Sequence, residues 1–320
     1  MDNSETPQKT TTHQPVAVDE FMPKGRPEGL WRLAIQRLFR QRSGIIGMII
    51  MGSLVLIALF APVIAPYEPN EVLIGKEDVK RREKPCIHLL GCPDDQPQHI
   101  MGIDGNVRDV FSRIIHGSRI SLTVGFLTIG FAVVVGTFLG TIAGYSGGWT
   151  SNVIMRIMDV VLAFPFLLLA IAIVAVLGPG LINAMLAIAI VSVPAYARII
   201  RSSVLSVKEE EYITAARSIG SGHSRILSQH ILPNAIPPLI VLATLGIGTA
   251  ILETAALSFL GLGAQPPQPE WGAMLASERN QVFSSPHLVF FPGLAIMITV
   301  LGFNLLGDGL RDALDPRLRL

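Results

Sequence analysis

Apolar residues in this chain fall in long blocks, not in the alternation of a half-buried strand or the three-to-four spacing of a surface helix. Six blocks have uncharged cores near the ~20 residues a helix needs to cross a bilayer. They cover 44–65, 120–144, 160–177, 181–197, 235–252 and 288–307. Only the glycine–proline–glycine of "LGPGL" at 177–181 separates the third from the fourth, which predicts a tight helical hairpin. Glu253 interrupts the fifth, whose apolar character resumes in "TAALSFLGLG". Glycine and other small residues recur inside the blocks, as in "VGFLTIGFAVVVGTFLGTIAG", and small residues let membrane helices approach closely. The pattern predicts an all-α polytopic membrane protein, a packed bundle of six transmembrane helices.

The polar stretches divide the chain into a tail over 1–43 and a six-span domain over 44–320. Within that domain lie loops at about 67–119, 198–234 and 265–287 and a C-terminal tail at about 308–320. Lys and Arg beside the spans set orientation. Arg26, Arg32, Arg37, Arg40 and Arg42 precede the first block, and Arg198, Arg201, Lys208, Arg217 and Arg225 follow the fourth. Arg311, Arg317 and Arg319 follow the last, whereas the hairpin at Pro179 has no cation and 265–287 has only Arg279. Both termini and the 198–234 loop are therefore expected in the cytoplasm. The 67–119 loop runs against this trend, with Arg113 and Arg119 close to the second span. Long loops translocate largely regardless of charge, so the basic tail and the even number of spans decide. The first residues, polar and proline-containing, lack the apolar core and cleavage site of a signal peptide and read as a flexible tail.

Composition agrees with the blocks: 50% of the 320 residues are hydrophobic and the net charge is +1, with a mean hydropathy of +0.52. No global field points to nucleic acid. The chain has no GxxxxGK[ST] phosphate loop, no HExxH and no nucleophile set beside a plausible base, so no catalytic residue, bound cofactor or metal is expected. Cys86, His88, Cys92 and His99 are metal-ligand types, but not at a standard zinc spacing. Cys86 and Cys92 admit three readings: a disulfide if the loop faces an oxidising space, unpaired thiols, or a metal site. Glu253 either lines a pathway or is partnered near the outer end of its span. Arg156 and Asp159, three apart, are expected to pair. Trp271 suits a protein interface or the aromatic belt of a membrane, beside a loop stiffened by Pro266, Pro267 and Pro269.

The most specific stretch is "EYITAARSIGSGHSRILSQHILPNAIP" at 211–237. Acidic residues open a helix where the macrodipole favours them. Ala215 and Ala216 leave a flat face, Gly220 and Gly222 break the helix, and a second short helix is expected to stop at Pro233. Alone, this pattern also suits an ordinary interfacial hairpin. It resembles the cytoplasmic loop of bacterial ABC importer permeases, in which Glu-Ala-Ala, three residues, Gly, nine residues, Ile, one residue and Leu-Pro recur. Here Ala215, Ala216, Gly220, Leu232 and Pro233 match; Thr214 stands in place of Glu, and His230 in place of Ile. "FLGLGAQPPQPEWGAML" at 259–275 and "FPGLAIMITVLGFNLLGDGLRDALDPRLR" at 291–319 resemble the second permease of dipeptide, oligopeptide, glutathione and nickel importers. "MGIDGNVRDVFSRIIHGSRISLTVG" at 101–125 does too, with Val107 where the family has Gly and Ile103 where it has Thr.

The resemblance implies a type I importer permease in the bacterial inner membrane that supplies half of a pathway for dipeptides or short oligopeptides. It implies a second, homologous permease, two cytoplasmic ATPase subunits carrying ATP and Mg, and an external binding protein. The loop containing Tyr212, Thr214, Ala215, Ala216, Gly220, His230, Leu232 and Pro233 would couple to one ATPase. Nickel chelates or glutathione are the alternative cargo. A self-contained secondary transporter, the alternative of another class, would need coupling-ion residues and repeated halves, and neither is evident.

Overall fold

Backbone in lipid must satisfy its own N–H and C=O groups, which a helix does within one segment. The computed structural model describes residues 35–93 and 95–314, and among these it contains helices and isolated bridges but no strand. The expectations for 1–34 and 315–320, with Arg317 and Arg319, lie outside the described residues. The helices are α1 (Arg42–Leu59), α2 (Ala61–Ile64), α3 (Val110–Ser146), α4 (Gly148–Leu162), α5 (Phe166–Leu177) and α6 (Leu181–Lys208). They continue with α7 (Glu211–Ser218), α8 (His223–Phe259), α9 (Trp271–Glu278) and α10 (His287–Leu314).

Five of them, α1, α3, α6, α8 and α10, are long and apolar enough to cross a membrane. The third block is a correction. It is not one straight span over 160–177: α4 and α5 meet at an angle of 91°, and only as a bent pair do they make a sixth span. Pro165 explains the break. It lacks an N–H and disfavours helical backbone at Phe164, so α5 starts afresh after it and holds 12 residues. At the next turn Gly178 and Gly180 have φ of 92° and 157°, and the Asn183 amide donates to the carbonyls of Leu177 and Gly178.

The main seam joins α3 to α6 through Gly136, Gly140 and Gly144, four residues apart on one face. A Cβ at Gly136 would lie 2.6 Å from Tyr196 Cβ, and one at Gly144 2.9 Å from Val204 Cβ. Only hydrogen at these positions permits that separation. α8 occupies the centre, touching α3, α6, α9 and α10, while α1 packs on α10 and α3. Asp159 pairs with Arg198 of α6 at 2.6 Å and not with Arg156 as expected. α10 continues through Leu314, so residues 308–314 of the expected C-terminal tail are helical.

Residues 67–109 fold into a small cap at one end of the bundle. Its apolar centre is Leu73, Ile103 and Val107, joined by Tyr67 and Val79. Beside it lies a buried polar knot. His99 Nδ1 is 2.9 Å from Asp109 Oδ1, and His99 Nε2 is 3.1 Å from Glu77 Oε2. Tyr67 donates to the other oxygen of Glu77 at 2.8 Å. Asp109 also caps α3, accepting from the Ser112 backbone N–H and hydroxyl, each at 2.7 Å. Cys86 and Cys92 form a disulfide, and Cys86 N–H donates to the His99 carbonyl.

The arginines that strained the charge rule are occupied by protein. Arg113 faces Asp104 at 3.6 Å and donates to the Pro69 carbonyl at 2.6 Å. Arg119 donates to the carbonyls of Ala58 and Leu59, the last free acceptors of α1. Trp271 is another correction: it lies neither at an open interface nor in a belt. It is 1% exposed, and its indole N–H donates to the Ile114 carbonyl at 3.1 Å.

Candidate functional site

At the end of the bundle opposite the cap, α6, α7 and α8 form a hairpin. α6 ends at Lys208, and Glu210 turns extended before α7, with Ile213 N–H returning to its carbonyl. Glu211 in the first turn and Arg217 in the last suit the ends of the helix dipole. Ile213 and Ala216 point inward with Ile226 and Ile231 into the main core. Tyr212, Thr214, Ala215, Ile219 and Gly220 point outward, Ile219 being 83% exposed.

α7 closes with two backbone bonds: Gly220 N–H to the Arg217 carbonyl at 2.9 Å, and Ser221 N–H to the Ala216 carbonyl at 3.1 Å. This pairing requires left-handed backbone at the residue after the cap, and Gly220 supplies it with φ 81°. Nothing stands within 4 Å of a Cβ there, so the glycine is needed for its backbone and lies open to the outside.

The second arm differs from expectation. Pro233 does not stop a short helix; His223 to Phe259 is one helical run. A proline ring crowds the carbonyl four residues back and offers no N–H. The chain resolves this by widening to π-helix over Ile226–Ile231, with Leu232 N–H reaching back five residues to Leu227. Asn234 Nδ2 donates to the His230 carbonyl at 2.7 Å and to the Tyr212 hydroxyl at 3.3 Å, tying the two arms. His230 and Leu232 are half-buried beside it, and Pro233 is exposed. Burial, then the nearby Glu210 charge, holds the Tyr212 phenol above its ordinary pKa.

Tyr145, near the end of α3, locks the hairpin to the bundle. Its hydroxyl shares a hydrogen bond with His223 Nδ1 at 2.6 Å, and its carbonyl accepts from Lys208 Nζ at 3.0 Å. The entry and exit of the hairpin are thus held by one residue. Nothing in the loop's own sequence points to it, because the partners lie 63 and 78 residues away.

The eight hairpin residues are therefore brought together, but not on one surface: Ala216 is internal, so its smallness serves packing. Glu253 and the cysteines lie elsewhere. Pro233 and Glu253 are separated by about 30 Å of helix. α8 passes straight through Glu253, which makes no hydrogen bond or ion pair among the described residues. No three His, Cys, Asp or Glu side chains are gathered as metal ligands among the described residues. Both nitrogens of His99 are directed at separate carboxylates.

Residues 136–320 match the family model described as binding-protein-dependent transport system inner membrane component. Residues 29–85 match the N-terminal TM domain of oligopeptide transport permease C. A dipeptide transport system permease protein DppC of Alkalihalophilus pseudofirmus is 51% identical over 90% of each chain. A glutathione transport system permease protein GsiD of Pectobacterium atrosepticum is 45% identical over 90% of this chain and 92% of its own. The fold is shared with the MetNI methionine ABC transporter in an inward-facing conformation: TM-score 0.53, 19% identity, 63% of this chain and 96% of that one.

Proposed function

The chain belongs to the binding-protein-dependent inner-membrane transport components, the permeases of ABC importers, and on that premise we propose that it carries dipeptides or short oligopeptides. It forms half of the pathway and pairs with a second, homologous permease. Two ATPase subunits, which carry ATP and Mg, seat beneath it, and an external binding protein delivers cargo. The cap faces outward, and both termini and the hairpin face the cytoplasm. The observation that carries the coupling role is the outward face of α7. Tyr212, Thr214, Ala215, Ile219 and Gly220 stand free of the bundle, while Ile213, Ala216 and Tyr145 anchor the same hairpin to α3, α6 and α8. A force on that face reaches three long helices, as alternating access requires.

The 45% identity to a glutathione permease favours glutathione as the second cargo. The test is ATP-driven uptake by proteoliposomes holding both permeases, both ATPases and the binding protein, offered Ala-Phe, glutathione and a nickel chelate. Ala-Phe uptake that stops without ATP is expected. Gly220→Trp should still insert and co-purify with the second permease, yet lose transport-linked ATP hydrolysis. Transport by this chain alone without ATP, or full coupling in Gly220→Trp, would refute the reading.

A further inference from the structure

The central helix α8 is covered on most sides, yet one face remains open. Ala250, Ile251, Thr254, Ala255, Leu257 and Ser258 are buried against neighbouring helices. Positions 249, 252, 253 and 256 share the remaining face by helical spacing. Thr249 is exposed and Leu252 is 51% exposed, with Glu253 and Ala256 partly covered. Thr249 spends its hydroxyl on the Leu245 carbonyl at 3.3 Å. That leaves the Glu253 carboxylate as the polar group of this face without a partner among the described residues. It is the only acidic residue of α8 and lies six residues, about 9 Å, from the cap end of the helix. Tyr196 of α6 stands within its electrostatic range but makes no hydrogen bond to it.

A carboxylate at membrane depth is costly unless it meets a cation or water. A residue facing lipid would leave that cost unrelieved, and a residue serving the fold would have a donor in this chain. We propose that Glu253 receives the free α-ammonium group of the peptide as it enters from the cap side. The inference rests on the peptide reading above and names the group recognised: dipeptides and glutathione share one free ammonium whatever their side chains. A single fixed carboxylate would hold that common end and leave the side chains unselected.

The chain contains two cysteines, Cys86 and Cys92, and they are bonded to each other. Glu253→Cys therefore places one free thiol in this chain. In the complete transporter, with the other subunits free of reactive cysteine, the thiol should react with a methanethiosulfonate carrying an ethylammonium group. Millimolar Ala-Phe should slow that reaction at least twofold as peptide fills the pathway beside it. Separately, Glu253→Gln should reduce Ala-Phe uptake at least tenfold, Glu253→Asp should recover part of it, and both should co-purify with the full complex.

A Gln variant that transports at the unaltered rate overturns the assignment, as does a thiol that is unreactive or that Ala-Phe leaves unshielded. Failure of the unaltered transporter to move Ala-Phe at all would instead sink the peptide reading, and the ammonium site with it.

Discussion

Replacing His99 with leucine should loosen the cap without disturbing the membrane helices. His99 is 3% exposed between Asp109 and Glu77, whose side chains are 3% and 24% exposed. Breaking a buried ion pair from one side costs roughly 3–5 kcal/mol. Asp109 keeps its two bonds from Ser112, and Glu77 regains some water, so the low end, about 3 kcal/mol, is expected. That corresponds to a ~150-fold rise in the opening equilibrium of the cap. Burial alone would push the imidazolium pKa down; bonds and charges from Asp109, then Glu77, more than offset it and leave His99 raised above 6.5. A raised histidine contributes stability that is complete below its ordinary value and lost as pH climbs through the raised one. Hydrogen exchange of the amides at Cys86, Asp104 and Val110, corrected for intrinsic rates, reads both effects. These amides should exchange about 100-fold faster in His99→Leu and should lose protection in the parent as pH climbs above 6.5. Protection within threefold of the parent, with no pH dependence, would refute the reasoning.

Ala215→Trp and Ala216→Trp should separate surface from core. The first should leave thermal stability unchanged and weaken co-purification of the ATPases, while the second should lower the melting temperature of the purified permease, because Ala216 packs among Ile213, Ile226 and Ile231. Val107→Gly should nearly balance: Val107 has φ 58°, where a β-branched residue is strained by ~1–2 kcal/mol, yet it buries a side chain worth ~1.5–3 kcal/mol. A melting shift beyond a few degrees would contradict that balance. Cys86→Ser should abolish the mobility difference between reduced and oxidised protein and cost the cap about 2 kcal/mol, since the closed loop is short.

The spans were legible because lipid demands uninterrupted apolar blocks, and no tertiary contact can disguise that. The break at Pro165 was less so: apolar residues continue across it, and composition does not register a missing N–H. At Pro233 the local rule erred the other way. Proline argued for a stop, but a π-type widening upstream and the Asn234 side chain let the helix continue. The loop motif fixed where the hairpin lies but not which way each alanine faces. That depends on Ile226 and Ile231, supplied by the other arm. Tyr145, Trp271 and the His99 knot were illegible because their partners meet only after the long helices pack. Val107 is the instructive case. The family resemblance marked a glycine position, and the backbone there kept the glycine conformation although the residue changed.

The run from His223 to Phe259 also has uneven stiffness. Pro233, Pro237 and Pro238 remove three backbone donors within six residues, and the π segment lies just before them. Beyond Pro238, α8 has no proline and its buried positions are gripped by four helices. The three missing donors make 233–238 the softest stretch of the run, a hinge between its lower turns and the upper turns gripped by four helices. A stroke on α7 is divided at that hinge between bending and tilt. Restoring donors there, as in Pro237→Ala with Pro238→Ala, would stiffen the joint and pass more of each stroke to Glu253.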